Sequence, residues 1–161
     1  MVQRKLAKDA FSGEGARRYG GRWNPPGVAM VYTAGSQSLA ALEIIVHYDA
    51  AGLLDEYVVI QVEFDDSLVT QLDCRELPNR WRDDPAPAKL QEIGGNWAAS
   101  EKSVALEVPS ATIPAESNFL LNPRHPAFAK LRIGKPERFG FDARLAGHER
   151  RAGTRAAPKT Q

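Results

Sequence analysis

A single cysteine, Cys74, stands in a chain of 161 residues, so no internal disulfide can staple the fold. That usage fits a reducing compartment, and the chain is read as cytoplasmic. Long apolar runs are missing as well. No stretch approaches the roughly 18 residues of a membrane-crossing helix, and clusters such as LAALEIIVHY are interrupted by Glu and His. The opening MVQRKLAKDAFSGEG lacks the apolar block of a secretory leader. Excess charge of one sign is absent too, with 21 Lys and Arg against 20 Asp and Glu. The last fifteen residues, GHERRAGTRAAPKTQ, hold a net +3, which leaves −2 on residues 1–146. Such a body is no basic platform for nucleic acid. Three histidines and one cysteine show no metal-ligand spacing. There is no Walker loop, no Gly-rich turn between strand and helix, and no GxSxG elbow.

What is present suits one globular domain. Hydrophobic residues make up 43% and charged residues 25%, and a chain of this length buries about two thirds of its unfolded surface without metal or disulfide. Residues 1–146 are expected to form that domain. Residues 147–161 have no large apolar side chain with which to join a core and are expected to be a disordered basic tail.

Gly13, Gly15, Gly20, Gly21 and Gly27 make the first thirty residues a structured loop rather than a regular helix or long strand. Val28 to Thr33 reads as a buried strand. Ser36 caps a helix running to about Tyr48, with Leu39, Leu42, Ile45 and Val46 as its apolar stripe. Glu56 to Phe64 alternates as one strand. Val69 to Leu72, Ser103 to Val108, Ser117 to Leu121, Leu131 to Gly134 and Phe139 to Phe141 are further short strands. Ala88 to Ser100 reads as helix interrupted at Gly94-Gly95. Short strands with two or three segregated helices predict an α+β domain.

Three residues stand out chemically. Arg22 is the arginine within GGRWNPPG, a Gly- and Pro-rich loop whose backbone can come close to a ligand, and its planar fork suits phosphate. Tyr32 offers a flat ring inside an apolar strand. Glu43 lies about 40° from Leu39 on the helical wheel, at the edge of the apolar stripe, where a carboxylate needs a partner or a task. A phosphate clamp, a stacking ring and a carboxylate together suit a dinucleotide whose glycosidic bond is broken. The carboxylate would steady positive charge on the ribose.

The runs GEGARRYGGRWNPPG and VAMVYTAGSQSLAALE resemble the N-terminal half of the RES-domain toxins. The run IGGNWAASEKSVALEVPSATIPAESNFLLNPRHPAF resembles their C-terminal half. The resemblance implies a fold related to ADP-ribosyltransferases. It also implies a toxin of a type II toxin-antitoxin system, paired with a helix-turn-helix antitoxin and touching nucleic acid only through it. NAD would be the substrate rather than a cofactor, with no metal. NAD would be consumed by hydrolysis, by phosphorolysis or by ADP-ribosyl transfer to a target protein. The family's arginine, tyrosine and glutamate map onto Arg22, Tyr32 and Glu43. Its serine maps onto Ser110 in VPSA, with Ser117 in ESNFLLNP as the second position. Asn118 is typical of that last motif and joins the expected NAD-binding set. Two other readings remain: a metal-free ribonuclease toxin using Arg22, His47 and Tyr32, which the −2 body disfavours, and a non-catalytic binding module.

Overall fold

The computed structural model describes residues 1–47, 56–142 and 145. The anticipated tail lies outside them. Nine short strands are described: β1 Val2–Gln3, β2 Val31–Ala34, β3 Tyr57–Val59, β4 Val62–Glu63, β5 Val69–Gln71, β6 Ala105–Pro109, β7 Ser117–Leu121, β8 Arg132–Ile133 and β9 Glu137–Phe139. The helices are α1 Glu14–Tyr19, α2 Gln37–His47 and α3 Ala88–Ser100. None of them is long and apolar enough to cross a membrane.

The central sheet has the order β2-β7-β6-β5. Its neighbours run antiparallel except β5 and β6, which run parallel. Antiparallel β1-β3-β9 and β4-β8 complete the strands. Because side chains alternate along a strand, the central sheet has two faces. One face buries Leu106, Val108 and Leu120 with Met30 and Trp23 and with Leu90 and Trp97 of α3. The other buries Val31, Ala105 and Leu121 with Val104 and Leu131. The register sets Tyr32 opposite Leu120 and Ala34 opposite Asn118, so Tyr32 and Asn118 belong to the α3 side.

Four expectations need correction. Residues 14–19 are helical. Gly13 at φ 68° and Gly20 at φ 73° bound this turn in left-handed backbone, so these glycines frame a helix instead of forbidding one. The second concerns α3, which runs unbroken through Gly94-Gly95 because those glycines serve packing. A Cβ on Gly94 would lie 2.0 Å from the Trp23 carbonyl oxygen, so only a bare backbone lets the GGRWN loop rest on the helix.

The third is the strand expected over residues 56–64, which splits into β3 and β4 in different sheets. Tyr57 and Val58 are both buried, so β3 is enclosed on both faces rather than alternating. The chain then turns, and the Gln61 carbonyl accepts the Gly134 N–H at 2.8 Å. The fourth concerns the stripe on α2. Leu39 is fully buried, whereas Leu42 and Val46 are exposed. The helix is tied at its first turn, where Ser36 Oγ accepts the Leu39 N–H at 3.1 Å as a cap. In its later turns Glu43, Ile44 and Ile45 are half-buried.

Candidate functional site

Asn24 organises the arginine loop. It is fully buried, and its Nδ2 donates to the carbonyls of Ala16, Pro25 and Val28 at 2.9–3.1 Å. Its Oδ1 accepts the Tyr32 hydroxyl at 2.7 Å, and the same hydroxyl accepts the Trp23 N–H at 3.0 Å. A Cβ on Gly21 would stand 2.6 Å from that hydroxyl, so glycine is required there. The hydroxyl of Tyr32 is therefore spent on the loop, although the residue as a whole stays 42% exposed. Burial pushes the phenol up to about 12 from its ordinary 10.0, although the Trp23 N–H and the charge of Arg22 pull the other way.

Arg22 spans a gap to the connection before α3. Its Nη1 donates to the carbonyls of Trp81 at 2.9 Å and Asp83 at 3.2 Å, and its Nη2 donates to Asp83 at 3.2 Å. A guanidinium carries five N–H donors in one plane. The Nε–H and the second Nη2–H, which share one edge, have no partner among the described residues. The fork is thus held by three bonds and leaves one bidentate edge unpaired among the described residues.

Glu43 sits on α2, half-buried, with three neutral donors on its carboxylate. Ser110 Oγ donates to Oε1 at 2.8 Å, Asn118 Nδ2 donates to Oε1 at 2.8 Å, and Thr112 Oγ1 donates to Oε2 at 3.0 Å. No Lys or Arg among the described residues pairs with it. Ser110 is fully buried in the turn after β6, and its oxygen accepts the N–H groups of Thr112 and Ile113. Ser117 faces elsewhere and donates to Glu107 at 2.6 Å. Asn118 Oδ1 is buried and has no partner among the described residues.

The sequence-derived residues thus fall into two assemblies. Arg22 and Tyr32 meet through the GGRWN loop, while Glu43, Ser110 and Asn118 meet across α2, β6 and β7. A cleft of about 1280 Å³ runs past Tyr32, Ser36 and Ala40. It stops short of Arg22 and reaches α2 one turn before Glu43. The side chain of His47 lies outside the described residues. Sequence reasoning missed Thr112 and Asn24 as site residues. Asn24 stood in the quoted loop, yet only tertiary contacts give it four partners. Thr112 carries no local pattern at all.

The structure defines the class as a mixed α+β domain of small sheets that holds one helical glutamate in a cage of neutral donors. The RES domain family matches residues 2–142, and the chain belongs to that family. It is 44% identical over 146 residues to "Toxin Res" of Yersinia enterocolitica, covering 90% of this chain and 96% of the relative. It is 36% identical over 145 residues to "Prs ADP-ribosylating toxin" of a Sphingobium species, covering 88% and 90%. A 38-residue stretch is 53% identical to "NAD(+) phosphorylase MbcT" of Mycobacterium tuberculosis, covering 23% of this chain and 20% of MbcT. The crystal structure of the MbcT-MbcA toxin-antitoxin complex matches with a TM-score of 0.67 at 22% identity, covering 83% of this chain and 78% of that one. That likeness shows the fold.

Proposed function

We propose that this chain is the cytoplasmic toxin of a type II toxin-antitoxin system and consumes NAD by breaking the bond between nicotinamide and ribose. The observation that carries the proposal is the Glu43 carboxylate, oriented by three neutral donors and paired with no cation among the described residues. A carboxylate so held retains its charge for a cation that forms beside it.

The free edge of Arg22 grips the pyrophosphate, and Tyr32 packs against nicotinamide or its ribose. Glu43 orients the ribose hydroxyls. As the C1′–N bond breaks, its electron pair leaves with nicotinamide and Glu43 steadies the positive charge on the ribose. Ser110 fixes Glu43. Asn118 shares that task through its Nδ2. Water, phosphate or a protein side chain then takes the ADP-ribosyl group. A helix-turn-helix antitoxin restrains the enzyme, in line with the toxin-antitoxin complex that has this fold.

The test is product analysis by mass spectrometry, with NAD in phosphate and in phosphate-free buffer and RNA in a parallel tube. Free nicotinamide is expected, with RNA intact. Glu43→Ala should abolish nicotinamide release and leave the fold in place, since alanine suits a helix and removes a carboxylate that is costly to desolvate. Near-normal turnover by that variant overturns the assignment.

A further inference from the structure

Counting donors against lone pairs separates the two oxygens of Glu43. A carboxylate offers about four acceptor positions, two on each oxygen. Oε1 takes two donors, Ser110 Oγ and Asn118 Nδ2, each at 2.8 Å. Oε2 takes one, Thr112 Oγ1 at 3.0 Å. The Ser110 hydroxyl has no freedom to turn away, because its oxygen already accepts the N–H groups of Thr112 at 3.1 Å and Ile113 at 3.0 Å. Its single proton points at Glu43. Oε1 is therefore saturated, and Oε2 keeps one open position among the described residues.

We propose that Oε2 is the oxygen that receives the substrate's ribose hydroxyl, and that Thr112 is the positioning residue that aims it. This rests on the reading of the chain as an NAD-cleaving enzyme. Thr112 acts at both ends of the cage: its backbone N–H fixes the Ser110 oxygen, and its side chain fixes Oε2. The last torsion of a glutamate is broad and weakly restrained. With both oxygens tethered, the open lone pair of Oε2 has one direction. Without the threonine hydroxyl, the carboxylate pivots about the saturated Oε1 and that direction is lost. The expected damage falls on the chemical step, where orientation matters most, and not on NAD affinity, which Arg22 and Tyr32 supply.

Three variants test this. Thr112→Val removes the hydroxyl at constant volume, Thr112→Ala removes it without adding a methyl group to the turn, and Thr112→Ser keeps it. For Val and Ala, kcat of nicotinamide release should fall about tenfold or more, with KM and affinity for an unreactive NAD analogue within about twofold of wild type. Thr112→Ser should stay within about threefold of wild type in kcat. Unfolding midpoints are taken for all three, and if Thr112→Val fails to fold, the comparison of Ala with Ser decides. Wild-type kcat in the variants lacking the hydroxyl overturns the proposal. So does a serine variant as impaired as alanine, or a loss confined to KM. A wild-type chain that releases no nicotinamide overturns the functional reading itself, and this inference with it. An active wild type with unaffected Thr112 variants overturns the inference alone.

Discussion

At the scale of single residues, the candidate site pairs a tethered arginine with a caged carboxylate. Arg22 uses three N–H groups on the carbonyls of Trp81 and Asp83 and keeps one edge free. Lysine has one ammonium and cannot bridge two carbonyls and grip a phosphate in the same plane. Arg22→Lys should therefore weaken binding of an unreactive NAD analogue by roughly 1.5–3 kcal/mol, as for a charge-assisted bond lost; titration calorimetry reads it, and equal affinity would show that the arginine serves only the loop. Tyr32 makes a different prediction, because its hydroxyl is enclosed and its pKa is raised to about 12. Above the ordinary 10.0, the unfolded chain loses this proton while the folded chain keeps it. The folded state then binds more protons, so stability falls as pH rises between those two values. Tyr32→Phe lacks this titration and lacks the bond to Asn24. It should be less stable than wild type at about pH 9, and the gap should shrink as pH approaches 12. Denaturant melts across that range check it; a constant gap contradicts it.

At the scale of elements, two glycines on helices predict opposite outcomes. Gly94 of α3 lies against the Trp23 carbonyl, where a Cβ would approach within 2.0 Å of a backbone atom that cannot swing aside. Gly94→Ala should cost roughly 3 kcal/mol, as overpacking does, and should disturb the Gln91 bond to the Gly21 carbonyl, which ties α3 to the same loop at 2.9 Å. Gly15 of α1 has nothing within 4 Å of its Cβ position. Gly15→Ala should stabilise by about 0.5 kcal/mol, because alanine loses less backbone freedom in a helix. Equilibrium unfolding of the two variants decides both. Equal effects would mean that α3 and the arginine loop are not packed as described.

At the scale of the whole molecule, the cage around Glu43 gathers one residue from α2, two from the turn after β6 and one from β7. Of these elements, β6 and β7 are interior strands of the central sheet, and residues 147–161 carry +3 and no large apolar group. Truncation after Ala146 should leave nicotinamide release unchanged, since a charged stretch without apolar anchors has nothing with which to dock. A truncated chain that is folded yet inactive would show that the tail completes the site.

Much of this was decided by local sequence. The α+β class follows from the spacing of short β-rich runs, the start of α2 from Ser36, and β7 from SNFLL, because caps and alternation act over a few neighbours. Arg22, Tyr32 and Glu43 stood out because each residue type was at odds with its immediate surroundings. Tertiary structure decided what no local pattern encodes. It chose Ser110 over Ser117 as the partner of Glu43, since Ser110 lies in the turn that follows β6 whereas Ser117 opens β7 and donates to Glu107. It added Thr112 and Asn24, whose partners lie in other elements or in a folded-back loop. It also turned Gly94 from an expected break into a packing surface. A glycine costs a helix about 1 kcal/mol in isolation, and contact with the Trp23 backbone outweighs that cost only once the fold has brought the two together.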